Sequence, residues 1–112
     1  MDPSEFEKSK IFFLVGMDHY VDNGVFIKSI LKRPTGNVSA VFIDRGEQIN
    51  ENLSRFDHFI QIIEGKAEVQ IDDHNFTLMA GEAIIIPAHS KNSIKANERF
   101  KMISTIIKSG YE

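Results

Sequence analysis

Cysteine is missing from the chain altogether. Its absence excludes disulfides, thiolate zinc sites and thiol nucleophiles, and it is compatible with a reducing cytoplasm, where we expect the protein to reside. Long apolar runs are also missing. The longest, Ile11 to Val15, is far too short to span a bilayer. Only Lys8 and Lys10 lie close before that run and no convincing cleavage site follows it, so the sequence does not read as a leader, and no membrane partner is expected. Basic residues are sparse and scattered. Lys32-Arg33 is the only adjacent pair, and the formal net charge is −3. Such a surface does not attract a phosphate backbone, which argues against nucleic acid as a partner. No glycine-rich phosphate loop, nucleophile elbow, paired helical histidines, internal repeat or low-complexity linker occurs.

What remains is an ordinary globular mixture, 42% hydrophobic and 26% charged over 112 residues, enough for one domain with its own core. Ser4-Glu5-Phe6-Glu7 has the form of a helix capping box, whereas Ile11, Phe12, Phe13 and Val15 favour a strand. Residues 4–17 are therefore read as either a short helix or an N-terminal strand, with an apolar cluster that needs cover from the same chain or from a second copy.

After the Asn23-Gly24 turn, strands dominate. Val25 to Lys32 and Val38 to Asp44 flank a Pro34-Thr35-Gly36-Asn37 turn. Phe56 to Ile63 carries apolar residues on both faces, which predicts cover on both sides. Glu64-Gly65-Lys66 turns the chain into Ala67, Val69 and Ile71 alternating with Glu68, Gln70 and Asp72, a strand with one wet face. Asp73-His74-Asn75 reads as a hairpin tip, with Phe76 and Leu78 on the return. Ala80-Gly81-Glu82 turns again into a short buried strand, Ala83 to Ile86, stopped by Pro87. A last strand runs from about Arg99 to Ile107. Many short strands with turns at this spacing predict an all-β sandwich or barrel, and a jelly roll closes its edges within this length.

Two stretches make the spacing specific. Gly46 is followed by five residues, Asn52-x-Ser54, three residues, His58, six residues and Gly65. Gly81 is followed by five residues, Pro87-x-His89, two residues, Asn92, three residues and Ala96. These resemble the two sequence motifs of the cupins, over roughly residues 24–107. The resemblance implies a single cupin domain, a double-stranded β-helix or jelly-roll barrel of the small cupin 2 (RmlC-like) type, with residues 1–23 as an N-terminal arm, helical or exchanged as a strand, 24–108 as the barrel and 109–112 as a tail. It also implies a homodimer, which the apolar arm would suit.

The ligand positions depart from the motif. In place of the family's three histidines and one glutamate stand Asn52, Ser54, His58 and Asn92: one imidazole and three neutral oxygen-bearing groups. Divalent transition metals want imidazole, thiolate or carboxylate, so no cofactor is expected. His58 and His89 are the weak candidates if a divalent metal binds. Asp57 neighbours His58 but faces the other side of a strand. A Ser54–His58 pair would be roughly 13 Å apart at strand rise.

The polar cluster itself must be satisfied internally, by water, or by a ligand. We therefore expect a small polar molecule bound in the barrel by Asn52, Ser54, His58 and Asn92, with Phe42, Phe56, Phe76, Phe100 and Met102 available as apolar walls. The alternatives are a metal-dependent oxygenase or isomerase with unusual ligands, a metal-free enzyme using His58 as acid and base with Asp44 available to orient it, and a barrel filled by its own side chains. Whether the chain is an enzyme stays open at this point. His74 is expected to be exposed, and His19 to lie at the surface or an interface.

Overall fold

The computed structural model describes residues 5–108. Among them are nine strands and no helix: β1 Val25–Arg33, β2 Gly36–Ile43, β3 Gln48–Glu51, β4 Asp57–Glu64, β5 Lys66–Ile71, β6 His74–Met79, β7 Ala83–Ile86, β8 Asn92–Lys95 and β9 Phe100–Ile107. They form two antiparallel sheets, one of five strands in the order β1-β2-β9-β4-β7 and one of four in the order β3-β8-β5-β6. This is the facing-sheet arrangement of a jelly roll. The expected tail, 109–112, lies outside the described residues, as does Ser4 of the capping box.

The core follows from alternation. Ala67, Val69 and Ile71 of β5 are buried, and the register sets Val69 opposite Ile94 of β8. Across the interior the five-stranded sheet contributes Val41 and Ile43 from β2, Ile60 and Ile62 from β4, and Phe100 and Met102 from β9. Full burial of each such side chain stabilises the fold by roughly 1.5–3 kcal/mol relative to exposure.

Two local features steer the chain between sheets. The register of β4 against β9 slips after Ile62, so that Glu64 rather than Ile63 faces Lys101. Without this bulge Glu64 would point into the apolar core. The extra residue turns its carboxylate to the outer face, where Lys101 lies. Gly65 then crosses to the second sheet at φ +85°, and a Cβ there would sit 2.5 Å from the Arg99 carbonyl oxygen. Only glycine fits that crossing.

Several expectations are corrected. Residues 5–23 form neither helix nor strand. They run as an irregular arm over the outer face of the five-stranded sheet. Glu5 accepts a hydrogen bond from the Lys32 backbone N–H, 2.6 Å, and pairs with Arg33. It is thus engaged by β1 instead of capping a helix. His19 and Tyr20 pack edge-on against Phe42, with centroids 5.5 and 5.4 Å away.

β4 is not covered on both faces, because the arm leaves Phe59 exposed beside its cross-strand partner Ile85. β7 is an edge strand in which only Ile86 is fully buried. The hairpin tip is Asp72-Asp73, with His74 already in β6 and exposed. Two short strands, β3 and β8, were not anticipated.

Candidate functional site

The core fills one end of the sandwich. Its other end is polar. There the inward row of β9 changes from Phe100 and Met102 to Ser104, whose partner on β4 is Ile60, two residues from His58 on the same face. The Ser104 hydroxyl and His58 Nε2 are 2.5 Å apart. Burial pushes the His58 pKa below its usual value, because the charged ring loses water without gaining a counter-charge, so the imidazole is neutral at pH 7. His58, held from behind by the buried Ser104, faces a cavity of about 120 Å³ lined by Glu51, Ser54, Arg55, Phe56, His58 and Ile106. The Arg55 guanidinium lies over the Phe56 ring, 5.5 Å from its centroid. We call this the mouth.

The four positions singled out in the sequence do not converge. Ser54 and His58 line the mouth. Asn52 and Asn92 line a separate, larger cleft of about 580 Å³. Ser54 is buried, and its hydroxyl donates to the Pro87 carbonyl, 3.0 Å away, and lies 3.4 Å from the Ser90 hydroxyl. It therefore staples the 87–90 loop. Backbone bonds between Ser54 and residues 89 and 90 complete the staple. Asn92 is buried, with Nδ2 3.5 Å from the Ser90 carbonyl oxygen. Asn52 is exposed. His89 is exposed too, at φ +67°.

The remaining candidates also move. Asp44 lies at the far end of β2 from His58. It accepts from Arg99, 2.7 Å, and from the Asn23 backbone, which with the Arg45 N–H hold its pKa at about 2. It does not orient His58. Asp57 accepts from the Ala88 N–H, 2.8 Å. Of the proposed walls, Phe100 and Met102 belong to the core, Phe42 lies on the outer face under the arm, Phe76 is exposed, and only Phe56 reaches the mouth.

A metal does not fit this donor set. His58 Nε2 is engaged by Ser104, Ser54 is engaged by the loop, and Asn52 and Asn92 belong to another cavity. Among the described residues no three His, Cys, Asp or Glu side chains come together. Neutral amides and a hydroxyl are poor ligands for a transition ion.

Ser104, Glu51 and Arg55 were missed in the sequence. Ser104 carried a signal, being the one polar residue in the inward row Phe100, Met102, Ser104, Ile106. Glu51 ends β3, a strand too short to show a period, and Arg55 lies in the loop that follows it.

Comparison with solved structures decides the architecture. A protein of unknown function from Streptococcus pyogenes superposes with a TM-score of 0.84 at 23% identity, over 92% of this chain and 90% of that one. A cupin superfamily protein from Desulfitobacterium hafniense does so at 0.82 and 22%, over 90% and 93%. The chain has the cupin fold. A cupin 2 conserved barrel domain protein from Leptotrichia buccalis gives 0.79 at 20% identity, covering 87% of this chain and 47% of that one. No protein-family model and no curated protein matches the sequence. The cupin likeness thus concerns the backbone, and the site chemistry stands on this chain's own residues.

Proposed function

We propose that this cupin-fold chain is a binding protein that takes one small polar molecule at the mouth, without a metal and without turnover. The observation that supports this most is the His58–Ser104 pair, a neutral imidazole and a hydroxyl set at the edge of a small cavity with Arg55 and Glu51 on its rim. Imidazole and hydroxyl can each exchange donor and acceptor roles, so the pair adapts to a ligand that offers either. A cavity of about 120 Å³ admits only a compact molecule. The reading keeps the protein in the cytoplasm and as a dimer of identical chains. The dimer rests on Ile11, Phe13 and Val15 of the arm, exposed by 90, 78 and 71%.

The test is an NMR screen of small polar fragments with 15N-labelled protein, paired with elemental analysis after incubation with zinc, iron, nickel and manganese. Expected are shifts centred on His58, Ser104 and Ile106, lost in Ser104→Val. Stoichiometric metal that His58→Ala removes would overturn the reading and point to an enzyme.

A further inference from the structure

The larger cleft lies on the opposite side of the four-stranded sheet from the core. Its floor is a row of cross-strand neighbours on the outer face, Asn50 of β3, Ser93 of β8 and Gln70 of β5, paired in register. None of the three carries a formal charge. Gln48 donates to Asn50 Oδ1, 2.9 Å, and Gln70 Nε2 donates to the Asp72 carbonyl, 3.3 Å. Among the described residues this leaves Asn50 Nδ2, Gln70 Oε1 and the Ser93 hydroxyl without protein partners.

Asn92 borders the same cleft at the end of β8, but it shares its strand face with Ile94 and stands opposite Ile71, so its buried side chain belongs to the interior and only the Asn50, Ser93 and Gln70 row faces the cleft.

The rim is held in place before anything binds. Asp72 N donates to the Lys91 carbonyl, 2.7 Å, while Lys91 N donates to Asp72 Oδ1, 3.1 Å. This reciprocal bond ties the β5–β6 turn to the loop before β8, so binding need not order either.

We infer that this outer cleft is a second binding site, for a neutral polyhydroxylated molecule of the saccharide or polyol class. Each sugar hydroxyl donates one hydrogen bond and accepts others. The floor offers a matching set: amide N–H from Asn50, a hydroxyl from Ser93, and an amide carbonyl from Gln70. A cavity of about 580 Å³ suits a mono- or disaccharide, far larger than the mouth can take. The floor row is uncharged and gives no anion a counter-charge, and the ionic residues of the lining, Glu51, Asp72, Asp73 and Lys91, stand around it. The assignment does not depend on what the mouth binds.

Titration of 15N-labelled protein with glucose, maltose and myo-inositol tests it, with glucosamine and glucuronate as charged controls. Expected are saturable shifts at Asn50, Gln70 and Ser93. Asn50→Ala and Gln70→Ala, both exposed positions, should each weaken binding by about fivefold with unchanged melting temperature, the loss of one hydrogen bond. No saturable shift with any neutral probe would overturn the inference. So would shifts centred on His58 and Ser104, affinity unaltered in both variants, or binding of glucosamine alone, which would mark the acidic rim as the determinant.

Discussion

His89 carries a backbone angle that histidine adopts at a cost. Its φ of +67° is left-handed, and its side chain is exposed. His89→Gly should therefore raise stability by about 0.5–1 kcal/mol in urea unfolding, since the steric cost of a Cβ disappears. A destabilised variant would mean that the imidazole makes a contact worth more than the strain.

His58 gives a pH signature. Its folded pKa lies below the 6.5 of a free imidazole because of burial. Above that value both folded and unfolded chains hold the ring neutral, and its contribution to stability is fully present. As pH falls from 6.5 toward the folded pKa, only the unfolded chain takes up the proton, and stability is lost. Melting curves from about pH 7 to about pH 5 should fall more steeply for the parent protein than for His58→Gln. Parallel profiles would remove burial as the cause.

Among the elements, the arm is held to the sheet by a buried cation. Lys101 is fully buried on the outer face of β9. Its ammonium bonds the Leu14 carbonyl and Glu64 Oε1, and stands over the Phe42 ring, 5.4 Å from its centroid. The Lys101 hydrogen bond in turn lowers the Glu64 pKa. Lys101→Met keeps the packing of the stem and removes these bonds. It should cost about 2 kcal/mol and speed tryptic cleavage after Lys8 and Lys10. Unchanged cleavage would show that the arm is anchored elsewhere, for instance by Arg99 over Tyr20 and on Asp22.

Strands with a strict period of two and glycine boundaries, such as β5 after Gly65, were legible in the sequence. β3 and β8 were not. Gln48-Ile49-Asn50-Glu51 and Asn92-Ser93-Ile94-Lys95 each bury at most one apolar side chain against the interior, and they are strands because they pair with each other. The arm was ambiguous for a related reason. Phe12 and Leu14 turn toward the protein more than Ile11, Phe13 and Val15 do, an alternation that suggests a strand, but no neighbouring strand is there to pair with it. For the site, motif spacing located the turns correctly. It could not tell which side chains would share a cavity, and so grouped Asn52 and Asn92 with His58.

At the scale of the whole molecule, the apolar surface is unevenly finished. Phe59 and Ile85 lie side by side on the uncovered half of the five-stranded sheet, and Ile107 is exposed at the end of β9. Ile11, Phe13 and Val15 of the arm add exposed apolar side chains of their own, and a second copy of the chain would cover such surface. Sedimentation equilibrium should show a dimer. Phe13→Ser should shift it toward monomer and lower a melting temperature that rises with protein concentration. A monomer at all concentrations would assign the apolar surface to a different protein.

Midway along the arm, two of its contacts are made by main-chain atoms. Lys101 reaches the Leu14 carbonyl, and Glu64 accepts from the Gly16 N–H, 3.1 Å. At these two contacts the barrel reads the path of the arm and not its side chains. Mutations at Leu14 or its neighbours would leave both bonds in place, provided the backbone holds its course. The stretch around Leu14 is therefore free to drift in sequence while staying docked, and two proteins closed in this way could share the device with no recognisable likeness there.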